Sequence, residues 1–458
     1  MAEKARQHYL FVTYPIQSHI NPTLHLAKHL ASSTGASVTF STALSGHRRM
    51  VSSVPNADQE FNNGLITYLP FSDGNDEGFK LDGMNPKDYL ADFRKNGQRN
   101  VSAIVGDLAA AGRPVTCIVY TLLLTWVVDV ADEHGIPSVL YWIQPATVFA
   151  IYYHYFHGFE SIVRAHADEP SFTVCFDLPS FLNAPVTDTD SMNAIVLNSF
   201  RDLFQILDRE QEDKVKPRML MNTFEAWETE ALASVTEIEI IPVGQWPKES
   251  SNGNIFKEDE KKYMEWLDTK EEGSVVYVSF GSLSVMKNEQ KEEMLRGLKE
   301  SKRPFLWVVR KDNREEGGGV VEIEEGGEDG MVVEWCSQVR VLAHSAVGCF
   351  VTHCGWNSTL ESLVCGVPMV AVPQWSEQCT NAKLVESLWG CGVRSEVDGD
   401  GVLRGEELVR CLELVMGEGE KGVEIRNKAK TWREKALEAV AEGGSCVVNL
   451  KAFVDKFL

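Results

Sequence analysis

Residues Gly348 to Ser362 read GCFVTHCGWNSTLES, a short β-branched run, a glycine-bearing turn and the start of an amphipathic stretch. A strand that ends in a tight turn and re-enters a helix makes an anion site. Backbone N–H groups and the positive end of the helix dipole converge there. His353, Asn357 and Ser358 add side-chain donors, and Gly355 lets the backbone come close to a phosphate. Glu361, one turn into the helix, could accept hydrogen bonds from a diol. By itself the turn can equally be read as a plain βα turn capped by Asn357 and Ser358. A second candidate is His19, just beyond the first apolar run and just before a helix expected to begin near Asn21. A helix N-terminus disfavours the imidazolium, so the ring stays neutral and able to take a proton, as a general base must. A lone histidine there can also serve simply as a cap. His25 and His29, further along the same helix, read as ordinary face residues. Cys349, His353 and Cys354 lie close in sequence but have no second ligand pair, so no metal is expected.

The elements that must position these residues follow from periodicity. Apolar runs alternate with longer amphipathic stretches, the pattern of a parallel sheet with crossover helices. Expected strands are His8–Tyr14, Ser37–Thr42, Leu65–Pro70, Cys117–Leu122, Ser138–Trp142, Arg218–Phe224 and Ile238–Gly244. Helices are expected over Asn21–Ala31, with Pro22 near the first turn, over much of Tyr89–Ala111, up to about Glu133, and over Ala146–Arg164. Asp177–Asp190 reads as irregular. A polar segment at residues 245–254 reads as a linker. The alternation then restarts at Ser274–Ser282, with a helix from about Asn288, strands Pro304–Arg310, Met331–Trp335, Gly348–His353 and Pro368–Pro373, and helices from Gly405 onward. The acidic, glycine-rich stretch Arg314–Gly330 reads as a surface loop. With 458 residues the chain suits two domains of roughly 200 residues each. The expected fold is α/β, with two Rossmann-like domains facing across a cleft. The expected division is 1–244, a linker at 245–254, 255–440, and a final helix at 441–458 packing back on the first domain.

Composition narrows the partners. A net charge of −22 argues against nucleic acid and anionic membranes, both of which need a basic surface. The first apolar run is too short for a signal peptide or a span, and it begins too near the start for a transit peptide to precede it. No other run approaches the roughly 18 apolar residues of a transmembrane helix. A cytoplasmic monomer is expected. The ten cysteines are scattered without a C-x-x-C pair, as expected of reduced, mostly buried thiols.

The whole block from Trp335 to Gln378, WCSQVRVLAHSAVGCFVTHCGWNSTLESLVCGVPMVAVPQWSEQ, resembles the signature box of plant secondary-product glycosyltransferases at nearly every position. The resemblance extends to PIQSHINP near the start, WLDTKEEGSVVYVSFGS in the middle and EGGSCVVNL near the end. It implies a two-domain GT-B fold, a UDP-sugar donor, inversion at the sugar carbon, and no metal or other cofactor. By the same resemblance Trp335 stacks on the uracil, and an indole face is a good platform for a base. Gln338 contacts the nucleoside and Glu361 the ribose. His353, Asn357 and Ser358 hold the diphosphate on the turn that Gly355 opens. Trp356, Glu377 and Gln378 face the sugar, and Ser282 joins the donor-binding set. His19 becomes the catalytic base. Gln378 resembles glucose-using members, so a small plant-type acceptor (a phenolic such as a flavonoid, or a carboxylic acid) would receive glucose. The aromatic stretch Ile151–Phe159 could wall an apolar acceptor pocket or face the core.

Two departures stand out. Ser18 replaces a glycine often found before the catalytic histidine. In CIVYTLL, Cys117 to Leu123, Thr121 stands where many relatives carry an aspartate that orients the histidine and stabilises its charge. Asp129 and Asp132 lie too far along the next helix to replace it, so His19 works with Thr121 or serves an acceptor acidic enough to need less help. An NAD-dependent oxidoreductase is disfavoured because YPIQSH, not G-x-G-x-x-G, follows the first strand. A catalytically impaired UDP-sugar binder and a different UDP-sugar donor remain the alternatives. If Thr121 limits the base, Thr121→Asp should raise kcat/KM on weakly acidic hydroxyls more than on carboxylates, which are already ionised at pH 7. An equal change on an alcohol, a phenol and a carboxylic acid would break that link.

Overall fold

The computed structural model describes residues 7–51, 58–80, 83–165, 192–212, 216–245, 262–282, 284, 286–310 and 329–456. The irregular segment expected at Asp177–Asp190, almost all of the linker and the body of the acidic loop lie outside these residues. The chain divides into two compact units: 1–170, 181–257 and 439–458 in the first, 171–180 and 258–438 in the second. Each carries its own sheet, so the α/β class and the two Rossmann-like domains expected from the alternation are present.

In the first unit the strands are β1 (His8–Thr13), β2 (Ser37–Thr42), β3 (Phe61–Asn62), β4 (Thr67–Tyr68), β5 (Cys117–Thr121), β6 (Ser138–Trp142), β7 (Arg218–Met221) and β8 (Glu239–Pro242). Their order across the sheet is β3-β4-β2-β1-β5-β6-β7-β8, parallel except for the β3–β4 pair. Strands β1 and β5 are buried along their whole length, which is why both read as unbroken apolar runs. The strand order reverses beside β1: the chain runs outward to β2, then returns to place β5 on the other side. In parallel sheets the crevice at such a reversal, beyond the carboxyl ends of the strands, is where ligands bind.

The second unit repeats the device. Strands β9 (Val275–Ser279), β10 (Phe305–Val308), β11 (Gly330–Val333), β12 (Val347–Thr352), β13 (Met369–Ala371) and β14 (Gly392–Arg394) form a parallel sheet in the order β11-β10-β9-β12-β13-β14. Here the order reverses between β9 and β12. One face packs on helices Asn288–Glu300 and Gly405–Met416 through Val276, Val278, Met294, Trp307, Leu408 and Leu412.

Several boundaries differ from the sequence reading. The first helix runs Gln17–Thr34, not from Asn21, so His19 lies inside its first turn and Pro22 inside the helix. The expected helix Ala146–Arg164 stops at His154. Gly158 at φ 111° turns the chain, and a new helix begins at Glu160. Tyr152, Tyr153 and Tyr155 are buried, with Tyr152 and Phe200 ring centroids 4.5 Å apart. The sequence reading gave no element at the two-residue β3, the three-residue β14 or the amphipathic helix Met192–Glu212.

The last helix, Ser445–Lys456, belongs to the first unit. Asn449 donates to the Pro242 carbonyl at 2.9 Å, Gln7 donates to the Val454 carbonyl at 3.0 Å, and Phe453 lies against Tyr9. No helix among the described residues is long and apolar enough to cross a membrane.

One buried carboxylate ties loops together beside β6. Glu228 accepts from the Ala146 and Thr147 N–H groups at 2.9 Å each, from the Thr147 hydroxyl at 2.9 Å and from the Thr223 hydroxyl at 2.5 Å. It thereby caps the helix Ala146–His154 from a distance, which none of that helix's own side chains does. Burial pushes its carboxyl up and the four donors pull it down. Glu228→Ala should cost at least about 2 kcal/mol, the scale for buried donors left dry, and Glu228→Gln should cost less. Unfolding midpoints that match wild type in both variants would show that the cluster holds nothing.

Candidate functional site

One group of candidate residues sits at the reversal in the first unit. His19 follows β1 by six residues and Thr121 ends β5, so the neighbouring strands bring them together. His19 Nδ1 lies 3.4 Å from Thr121 Oγ1. The same hydroxyl lies 3.4 Å from Thr13 Oγ1 and accepts the Tyr14 N–H at 3.4 Å. The loop between β1 and the helix is clamped. Arg49 donates to the Pro15 carbonyl at 2.5 Å, and Gly46 lets the helix Leu44–Met50 press on Pro15, where a Cβ would come within 2.7 Å. His19 is 6% exposed, and burial without a nearby carboxylate pulls its pKa down to about 3. The ring is neutral at neutral pH. Asp129 faces Arg94 at 3.7 Å and Asp132 is exposed, so neither replaces the missing aspartate.

A second group sits at the reversal in the second unit, on the turns after β9 and β12. His353 ends the β12 edge of that turn, and its ring lies between two glycines. A Cβ on Gly281 would meet it at 2.8 Å and one on Gly355 at 2.5 Å. Any side chain at either position would displace the ring. Burial lowers the His353 pKa to about 4, against a smaller opposing effect of the Ser279 backbone, so this ring too is neutral. Cys354 takes the left-handed conformation at φ 60°, and Asn381 donates to its carbonyl at 2.8 Å. Gly355 then leads into the helix Trp356–Cys365 as its N-cap and has no side chain with which to cap it. The Trp356 N–H instead reaches the buried Glu377 carboxylate, which also accepts from Ser376 Oγ.

Two of the expected donor-site residues, Ser358 and Glu361, converge on the amide of a third, Gln338. Gln338 Nε2 donates to Glu361 Oε2 at 2.8 Å and to Ser358 Oγ at 3.0 Å, while Tyr277 donates to Gln338 Oε1 at 3.3 Å. Gln378 Oε1 accepts the Gln374 and Trp375 N–H groups at 2.9 and 3.2 Å, which leaves its Nε2 end to donate. Trp335 is half-buried just beyond β11, and Asn357 is half-buried in the first helical turn. Ser282 follows Gly281 on the turn after β9 and is not joined to the cluster by any of these bonds. Among the described residues no three His, Cys, Asp or Glu side chains gather as a metal-ligand set.

Sequence reasoning missed Tyr277, Gly281 and Asn381, which hold Gln338, His353 and Cys354 in place. Their only signal is three-dimensional, because each acts on a residue more than 25 positions away. Backbone strain gives a better signal. Of the four non-glycine residues with positive φ among the described residues, Leu123, Cys354 and Ser376 lie within a few residues of Thr121, His353 and Glu377.

A family model described as UDP-glucoronosyl and UDP-glucosyl transferase matches residues 189–419. The chain is 45% identical to phloretin 4'-O-glucosyltransferase of Malus domestica, over 98% of this chain and 97% of that one. It is 44% identical to the chloroplastic crocetin glucosyltransferase of Gardenia jasminoides, over 98% and 97% of the two chains. Its structure resembles that of Os79 from O. sativa in complex with UDP, with a TM-score of 0.83, 31% identity, and coverage of 99% of this chain and 100% of that one. With relatives at this identity along nearly its whole length, the chain belongs to the UDP-glucoronosyl and UDP-glucosyl transferase family and is a UDP-glycosyltransferase of the plant GT-B type.

Proposed function

We propose that the protein transfers glucose from UDP-glucose, with inversion, to a phenolic hydroxyl or a carboxyl group of a small plant-type acceptor, and that His19 is the general base. The observation that carries this reading is a buried, neutral imidazole whose Nδ1 faces a hydroxyl rather than a charge. If Nδ1–H donates to Thr121, the Nε2 lone pair is the end that can take a proton. As the acceptor oxygen forms its bond to the anomeric carbon, its proton passes to His19 Nε2. The bond from that carbon to the UDP oxygen breaks on the opposite face, and UDP leaves as the anion. The turn around His353, Gly355, Asn357 and Ser358 would hold its phosphates, at a helix start that suits negative charge. Trp335 would stack on the base, and the Gln338–Glu361 pair would meet the nucleoside. Trp356, Glu377 and Gln378 would meet the sugar.

Glucose as donor is supported by the two glucosyltransferase relatives and by the Gln378 amide. A phenol or an acid as acceptor is supported by phloretin and crocetin in the relatives' names. No metal is invoked, because the helix start and the donors around His353 can offset the leaving-group charge.

Two measurements test the assignment. His19→Ala should lower kcat by at least ~10²-fold, the usual scale for a general base, with the Kd for UDP unchanged. Near-native turnover would remove His19 from the mechanism. Trp335→Ala should weaken UDP binding by roughly 1–3 kcal/mol, the range for a lost base–aromatic stack. Gln378→Ala should lower turnover of UDP-glucose and leave the Kd for UDP as it was. Equal losses of UDP affinity in both variants would contradict the split between nucleotide and sugar contacts.

A further inference from the structure

The hydrogen bonds around Gln338 have a direction. A carboxylate oxygen only accepts, and Glu361 Oε2 lies 2.8 Å from one end of the amide, so that end is Nε2 and it donates. The second Nε2 proton goes to Ser358 Oγ at 3.0 Å. Ser358 and Glu361 stand three residues apart on the helix Trp356–Cys365, hence on one face, and the single amide spans both. The Oε1 end must then be met by a donor, and Tyr277 meets it at 3.3 Å.

Tyr277 is fully buried in β9, its ring stacked on Phe350 of β12 with centroids 4.8 Å apart and planes at 19°. The two residues are partners across the parallel strands, which fixes where the hydroxyl stands. Burial raises the phenol well above its ordinary pKa, so it keeps its proton and remains a donor. Cys336 Sγ lies 3.4 Å from the same oxygen. A thiol sulfur is a weak acceptor and an amide oxygen a strong one, so the Tyr277 proton goes to Gln338. The bonds therefore run one way, from Tyr277 to Gln338 and from Gln338 to both Ser358 and Glu361. Ser358 accepts, and among the described residues nothing takes its own proton. Glu361 is engaged by Gln338 through Oε2, and Oε1 takes no part in these bonds. A hydroxyl with a proton to give suits a phosphate oxygen, and an open carboxylate oxygen suits a ribose diol.

We infer that Tyr277 is a positioning residue for the donor nucleotide, a role that rests on reading this cluster as the UDP-sugar site. By holding the Gln338 amide in one orientation, it leaves the Ser358 proton for the diphosphate and the second Glu361 oxygen for the ribose. Tyr277 acts only through Gln338, so its hydroxyl should count for nothing once that amide is gone.

The test is a double-mutant cycle on the Kd for UDP, measured by calorimetry for wild type, Tyr277→Phe, Gln338→Ala and the double variant. Tyr277→Phe removes one oxygen and keeps a ring on Phe350, so the fold is spared. It should weaken UDP binding by roughly 3- to 10-fold, the affinity equivalent of one hydrogen bond. KM for UDP-glucose should rise by a similar factor, while KM for the acceptor holds. In the Gln338→Ala background the same substitution should change the Kd by less than about twofold. A general structural role would instead give losses that multiply in the double variant, with a lowered unfolding midpoint. Unchanged UDP affinity in Tyr277→Phe, or losses that multiply, would overturn the role of Tyr277. Gln338→Ala alone separates the two claims. If it leaves the Kd for UDP as it was, the nucleotide does not bind at this cluster and both claims fall. If it weakens UDP beside an unaffected Tyr277→Phe, only the positioning role falls.

Discussion

Everything in this structure that can do chemistry depends on two reversals of strand order. A strand flanked by neighbours reached in opposite directions leaves a crevice at its carboxyl end, because the loops on either side diverge. Beside β1 that crevice receives the first turn of the Gln17–Thr34 helix and the end of β5, which puts His19 against Thr121. Beside β9 it receives the turns carrying Gly281 and His353. The sheets are buried along β1, β5, β9 and β12, so they cannot shift register without exposing whole apolar runs. The residues at those crevices inherit that rigidity.

Both crevices hold a histidine kept neutral by burial, and the two rings serve different ends. His353 is wedged between glycines, so its place is fixed by the absence of side chains around it. His19 is fixed by polar neighbours, the Thr121 hydroxyl on one side and the Tyr14 ring on the other. A neutral ring is what a base needs before reaction, yet the same burial penalises the imidazolium that follows.

Much of this was legible in the sequence, for physical reasons. Buried parallel strands announce themselves as β-branched runs, so HYLFVT and SVTFST were placed to within a residue. The strand–turn–helix around His353 was legible because glycine and small polar residues cluster where a turn enters a helix. What failed was local. Pro22 looks like a first-turn residue, but the helix begins five residues earlier and forgoes the bond that proline cannot donate. That error hid His19's position inside the helix. The stretch IYYHYFHGF looked continuous, and non-helical backbone at His157 and Gly158 breaks it. The supports of the site could not be read at all. Asn381 holds Cys354 and Tyr277 holds Gln338, each across a separation that periodicity does not span.

The central claim is that His19 is a neutral base with its proton on Nδ1, facing Thr121. The most direct measurement is a ¹⁵N NMR titration of the histidine imidazoles, with His19 assigned by its loss in His19→Gln. A pKa held down to about 3 means that the ring stays neutral as pH falls through the range where an ordinary histidine charges. The predicted result is a neutral His19 with Nδ1 protonated and Nε2 bare down to the acid limit of the folded protein. A ring that titrates near the ordinary value, or one that carries its proton on Nε2, would contradict the account.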